Sequence, residues 1–130
     1  MIKYPSVEDI IYANEKILKE IKAKKADEHK ILSKYKIGKV VEEVADVGGD
    51  IYDKAVFLLK SLVQSHPFAS GNRRTAFLVA RNFLFYNGAK TPVKDEENAY
   101  ILQGIREDYY QDLEIKEWLM KGDIREFKRK

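Results

Sequence analysis

Cysteine is absent from the 130-residue chain. That excludes a disulfide framework, thiolate-held zinc, an iron–sulfur centre and a cysteine nucleophile. No apolar run reaches the ~18 residues that a membrane-spanning helix needs. The first residues, MIKYPSVEDII, place acids where a secretory leader would be apolar, so a cytoplasmic protein is the default expectation. An excess of one charge is missing as well. Lys and Arg total 24 against 21 Asp and Glu, a formal charge of +3. Residues 121–130 hold five of the bases and two of the acids, which leaves 19 of each in residues 1–120. The body of the chain therefore has no bulk attraction for nucleic acid, and nucleic acid is not expected as a partner. The short basic end reads as a solvated terminus, with contact to an anionic partner as the alternative. What remains is 45% apolar and 35% charged, the balance of one globular domain over residues 1–120 followed by a basic tail, 121–130.

The hydrophobic spacing is helical throughout. Val7, Ile10, Ile11, Asn14, Ile17, Leu18 and Ile21 share one face behind a capping pair, Ser6 and Asp9. Short helices are expected around His29–Lys34 and Lys39–Ala45, with His29 at the surface. Gly48 and Gly49 interrupt helix, and Asp50 caps a run through Ser65 with Ala55, Leu58, Leu59 and Leu62 inward. From Asn72 to Asn87 apolar residues from Ala76 to Tyr86 surround the helix almost completely, and Gly88 is placed to stop it. Two further helices carry Ala99, Leu102 and Ile105, then Leu113, Trp118 and Leu119, with Tyr109, Tyr110 and Trp118 as packing residues. The expected architecture is all-α: about six helices around a buried 72–87 helix, with room in the pattern for a small β-hairpin near 40–50.

One segment concentrates chemistry. His66, Phe68, Ser70, Gly71, Asn72, Arg73 and Arg74 fall between two strong helices. A loop that ends at a helix N-terminus presents unpaired N–H groups and the positive end of the dipole. Gly71 lets a ligand approach the backbone, both arginines offer forked donors for phosphate oxygens, and His66 can take a proton near neutral pH. Phe68 is the expected core anchor. The set suits phosphoryl or nucleotidyl transfer, where positioning and charge neutralisation supply most of the rate. The competing reading is a structural histidine and two surface arginines that sit against the dipole.

HPFASGNRRTA resembles the signature loop of the Fic/Doc superfamily, His-x-Phe-x-acid-small-Asn-x-Arg. DIYDKAVFLLKSLVQSHPF and RTAFLVARNFLFYNGA resemble the helices that enter and leave that loop in the Doc, or death-on-curing, branch. The resemblance implies a Fic-like helical domain that transfers part of a nucleoside triphosphate, with ATP as co-substrate, to a hydroxyl of a target protein. Doc-type toxins transfer phosphate to a translation elongation factor and are restrained by a separate antitoxin protein; Fic-type members transfer AMP. By position, His66 would be the general base, Phe68 the anchor, Gly71 and Asn72 the anion hole, and Arg74 the phosphate clamp. Position 73 is glycine in AMP-transferring members and lysine in Doc, so Arg73 leans toward phosphate transfer. The second arginine of Fic-type motifs would fall at Phe77. The family's self-inhibitory motif is not found.

Ser70 stands where the family has the acid that holds Mg²⁺, an ion that prefers charged oxygen ligands. Ser70 is then a weakened metal ligand or simply a helix cap, and Asp46 or Asp50 are alternatives by nearness in sequence. The outcome is either a Doc-like enzyme or a Fic-fold protein that binds nucleotide or a partner without turnover. Gly48 and Gly49 fall where the resemblance implies a flap that aligns the target segment by strand-like pairing.

Overall fold

A computed structural model describes residues 1–20, 30–94 and 98–128. Among them lie six α-helices: α1 (Val7–Glu20), α2 (Lys34–Val44), α3 (Ile51–Ser65), α4 (Asn72–Tyr86), α5 (Ala99–Arg106) and α6 (Asp112–Lys121). The all-α expectation holds.

Several helix ends are fixed by side chains. The Ser6 hydroxyl accepts from the Asp9 N–H at 3.1 Å, and Asp9 accepts from the Ser6 N–H at 2.9 Å, which closes a capping box on α1. Asp50 and Asp53 do the same for α3. Lys54 is nearly buried, yet its ammonium is satisfied. It donates to the carbonyls of Val47 at 2.6 Å, Ala45 at 3.1 Å and Val44 at 3.4 Å, so a cation closes the C-terminal end of α2.

α3 packs against α2, α4, α5 and α6, while α4 packs against α1, α3 and α5. The centre is therefore the α3–α4 pair rather than α4 alone. Ala55, Leu58, Leu59, Ala76, Phe77, Ala80 and Leu84 are fully excluded from solvent within it. α4 is less encircled than its composition suggests. Arg81 and Phe85, one turn apart, share an outward face, and Tyr86 beside them is also exposed.

Three expectations need correcting. No separate helix occupies Lys30–Ser33. Ile31 instead pairs antiparallel with Phe68, the Leu32 N–H donates to the Pro67 carbonyl at 2.8 Å, and the Ala69 N–H donates to the Lys30 carbonyl at 2.9 Å. Ser33 then caps one continuous α2 that runs across Gly38, despite the ~1 kcal/mol that a mid-helix glycine costs. His29 lies outside the described residues. No β-hairpin forms near 40–50, because α2 persists through Val44 and Lys54 ties down the turn after it. Nor does the chain become a free tail at Lys121. Residues 122–128 fold back, Phe127 is buried, and the Arg125 guanidinium lies 4.2 Å from the Tyr109 ring centre and pairs with Glu114. Arg125, one of the basic residues there, is thus engaged internally.

Candidate active-site loop between α3 and α4

His66 terminates α3 in the left-handed region, φ 53° and ψ 57°. Histidine tolerates this conformation better than branched residues do, and it turns the chain abruptly out of the helix. Pro67 and Phe68 then cross toward Ile31, and the Phe68 ring is 1% exposed, the core anchor expected of it.

Asn72, on the first turn of α4, cross-braces the loop. Its Oδ1 accepts from the Phe68 N–H at 3.0 Å, and its Nδ2 donates to the Phe68 carbonyl at 2.8 Å. Because a backbone N–H can only donate and a carbonyl can only accept, this pair fixes which way the amide faces. The second Nδ2 hydrogen points to His66 Nδ1, 3.1 Å away. Nδ1 is therefore the acceptor, and the neutral imidazole carries its hydrogen on Nε2. Three residues singled out by spacing alone, His66, Phe68 and Asn72, form one hydrogen-bonded unit.

Ser70 and Gly71 are held from another direction. Asn14 of α1 is fully buried; its Nδ2 donates to the Ser70 carbonyl at 2.9 Å and to Thr75 Oγ1 at 3.1 Å. Gly71 adopts φ 76°, and a Cβ there would meet Leu18 Cδ2 at 3.2 Å and Asn14 Nδ2 at 3.4 Å. Glycine is required at this point by both conformation and closeness. Gly71, not Ser70, is the N-cap residue of α4, and a glycine brings no side-chain cap bond. The cap reading of Ser70 is thereby corrected. With no acid in its first turn, α4 directs its positive end at the loop.

The two arginines diverge, as neighbours ~100° apart on a helix must. Arg73 donates to Gln103 on α5, and Gln103 in turn to Glu107. The Arg74 guanidinium lies 3.9 Å from Glu20 at the end of α1. Gly48 and Gly49 lie at the other end of α3 from His66, a helix length of about 22 Å for 15 residues. Strand-like pairing within the chain occurs at Lys30–Ser33, against Pro67–Ala69. Asp46 and Asp50 share that remote end, where Asp50 caps α3 and faces Lys116, so neither substitutes for a carboxylate at position 70. Among the described residues no group of three or more His, Asp or Glu side chains is arranged to hold a metal. With a neutral hydroxyl at Ser70, the donor set does not fit a protein-held Mg²⁺.

Sequence reasoning missed Asn14 as a partner of the loop, along with the Lys30–Ser33 segment and Gln103. For Asn14 a signal existed: a polar residue in an otherwise apolar helical stripe needs a buried partner.

The family model described as Fic/DOC family matches residues 4–84, more than half of the chain. A 40-residue stretch is 45% identical to the protein named Toxin Doc from Mycolicibacterium smegmatis, and covers 31% of this chain and 31% of that one.

Proposed function

Since the chain belongs to the Fic/Doc family, we propose that it is a Doc-like toxin that transfers the terminal phosphate of ATP to a hydroxyl of a target protein. In that reaction the hydroxyl oxygen forms a bond to the γ-phosphorus, the bridge to the β-phosphate breaks, ADP leaves, and the hydroxyl proton passes to His66. The observation that carries the reading is the braced loop: His66, Phe68 and Asn72 joined by hydrogen bonds at the N-terminus of α4, whose N-cap is a glycine. Backbone N–H groups and the helix dipole would receive the phosphates, and Arg74 would exchange its distant Glu20 partner for phosphate oxygens. His66 accepts a proton at Nε2 only in the tautomer protonated at Nδ1, so base action requires the ring to part from Asn72 when the target arrives. By kinship with Doc, the target is a translation elongation factor and the regulator is a separate antitoxin protein.

Incubation with lysate and γ-labelled ATP should label a protein band, and His66→Ala should abolish the label. Label that survives the substitution would remove His66 as the base. Label transferred only from the α-phosphate would make the reaction AMP transfer. Ser70 favours a second reading, a nucleotide- or partner-binding protein without turnover. Calorimetry with ATP, with and without Mg²⁺, separates the two, and Ser70→Asp should make binding metal-dependent if a carboxylate is what the site lacks.

A further inference from the structure

We infer that Asn14, on α1 and outside the signature loop, is a positioning residue that aims one backbone N–H of the phosphate-binding loop. The inference rests on the phosphate-binding reading above. Asn14 is wholly buried, and both Nδ2 hydrogens are spent on the loop and on the first turn of α4. The bond to the Ser70 carbonyl fixes the plane of the Ser70–Gly71 peptide. In a trans peptide the carbonyl and the following N–H point in opposite directions. With the Ser70 carbonyl drawn onto α1, the Gly71 N–H is turned away from α1, to the same end of α4 as the N–H groups of Asn72 and Arg73. Leu18, Ile17 and Asn14 fill the space where a side chain on Gly71 would stand, so α1 lies directly against this side of the peptide. Asn72 braces the first half of the loop and Asn14 braces the second.

The two arms of Asn14 can be separated. Asn14→Leu removes both, whereas Thr75→Val removes only the arm to the Thr75 hydroxyl and leaves the Ser70 carbonyl bonded. ATP affinity, measured by calorimetry on the folded variants, should fall about tenfold for Asn14→Leu and stay within about twofold of the parent for Thr75→Val. The Ser70 carbonyl carbon, whose NMR shift reports the bond it accepts from Asn14, should move in the first variant and not in the second. Equal losses in both variants, or no loss in Asn14→Leu, would overturn the inference. If Asn14→Leu does not fold, Asn14→Asp serves instead. Its carboxyl donates to the Ser70 carbonyl when protonated and repels it when ionised. Affinity relative to the parent should then decline from about pH 6 to about pH 9; a flat ratio would overturn the inference. A parent protein that fails to bind ATP would sink the phosphate-binding reading instead. The Ser70 carbonyl shift would still decide whether Asn14 holds the peptide.

Discussion

Asn72→Ala is the most informative single substitution. It deletes an acceptor for the Phe68 N–H at 3.0 Å and donors to the Phe68 carbonyl at 2.8 Å and to His66 Nδ1 at 3.1 Å. Phe68 is 1% exposed, so its amide has little access to water as a replacement partner. A buried backbone group left unpaired costs about 1–3 kcal/mol, and each remaining bond contributes about 1 kcal/mol. Alanine returns a few tenths of a kcal/mol in helix propensity. The expected loss is about 3 kcal/mol, or a fall in melting temperature of about 10 °C for a chain of this size. A scanning calorimeter reads that directly. Nitrogen NMR supplies an independent check, because His66 in the parent should show a bare Nδ1 and a protonated Nε2. Asn72→Asp, which keeps the acceptor for the Phe68 N–H and puts an oxygen against Nδ1, should move the hydrogen to Nδ1. A stability loss below about 1 kcal/mol for Asn72→Ala, or a parent ring protonated at Nδ1, would refute the cross-brace.

Lys54→Met keeps the aliphatic stem but strips three carbonyls at the end of α2 of their donor; a destabilisation of about 2 kcal/mol in urea is expected, and a neutral result would mean that water serves those carbonyls equally well. Gly104→Ala would bring a Cβ to 2.6 Å from Tyr110 Cε2 and 3.1 Å from Phe127 Cγ, so it should cost about 1–2 kcal/mol despite the better helix propensity, and a raised melting point would show that the contact is loose. The N–H of Asp50 and the ammonium of Lys116 hold the Asp53 carboxyl below the usual carboxylate range. A depressed acid stabilises above its unfolded value and loses that contribution as pH falls through its folded one. Acid titration of stability should therefore slope more steeply below about pH 4 in the parent than in Asp53→Asn.

The helices with strong local punctuation were legible from sequence. Ser6 with Asp9, Asp50, and Gly88 each mark an end by chemistry that acts within a few residues. α2 was legible only in its second half, expected around Lys39–Ala45; its start at Lys34 was not, because Gly38 and the β-branched Val40, Val41 and Val44 argue against helix locally, and burial of Ile37, Val40 and Val44 overrides them. The motif from His66 to Asn72 was legible because its partners are four to six residues apart. Its long-range supports were not. Asn14 lies 56 residues from Ser70, and Ile31 and Phe68 are separated in the chain by all of α2 and α3. The paths of Arg73 and Arg74 depend on where α5 and α1 come to rest, which adjacency in the chain does not encode.

The pairing of residues 30–33 with 67–69 has a kinetic consequence. It closes a long loop of chain for few contacts, so its entropic cost falls due before most of its benefit arrives. Such a contact is expected to form on the native side of the folding barrier. Weakening it should leave the rate of refolding almost untouched and hasten unfolding, so the segment that bears His66 would be guarded by the slowness of escape rather than by the speed of assembly.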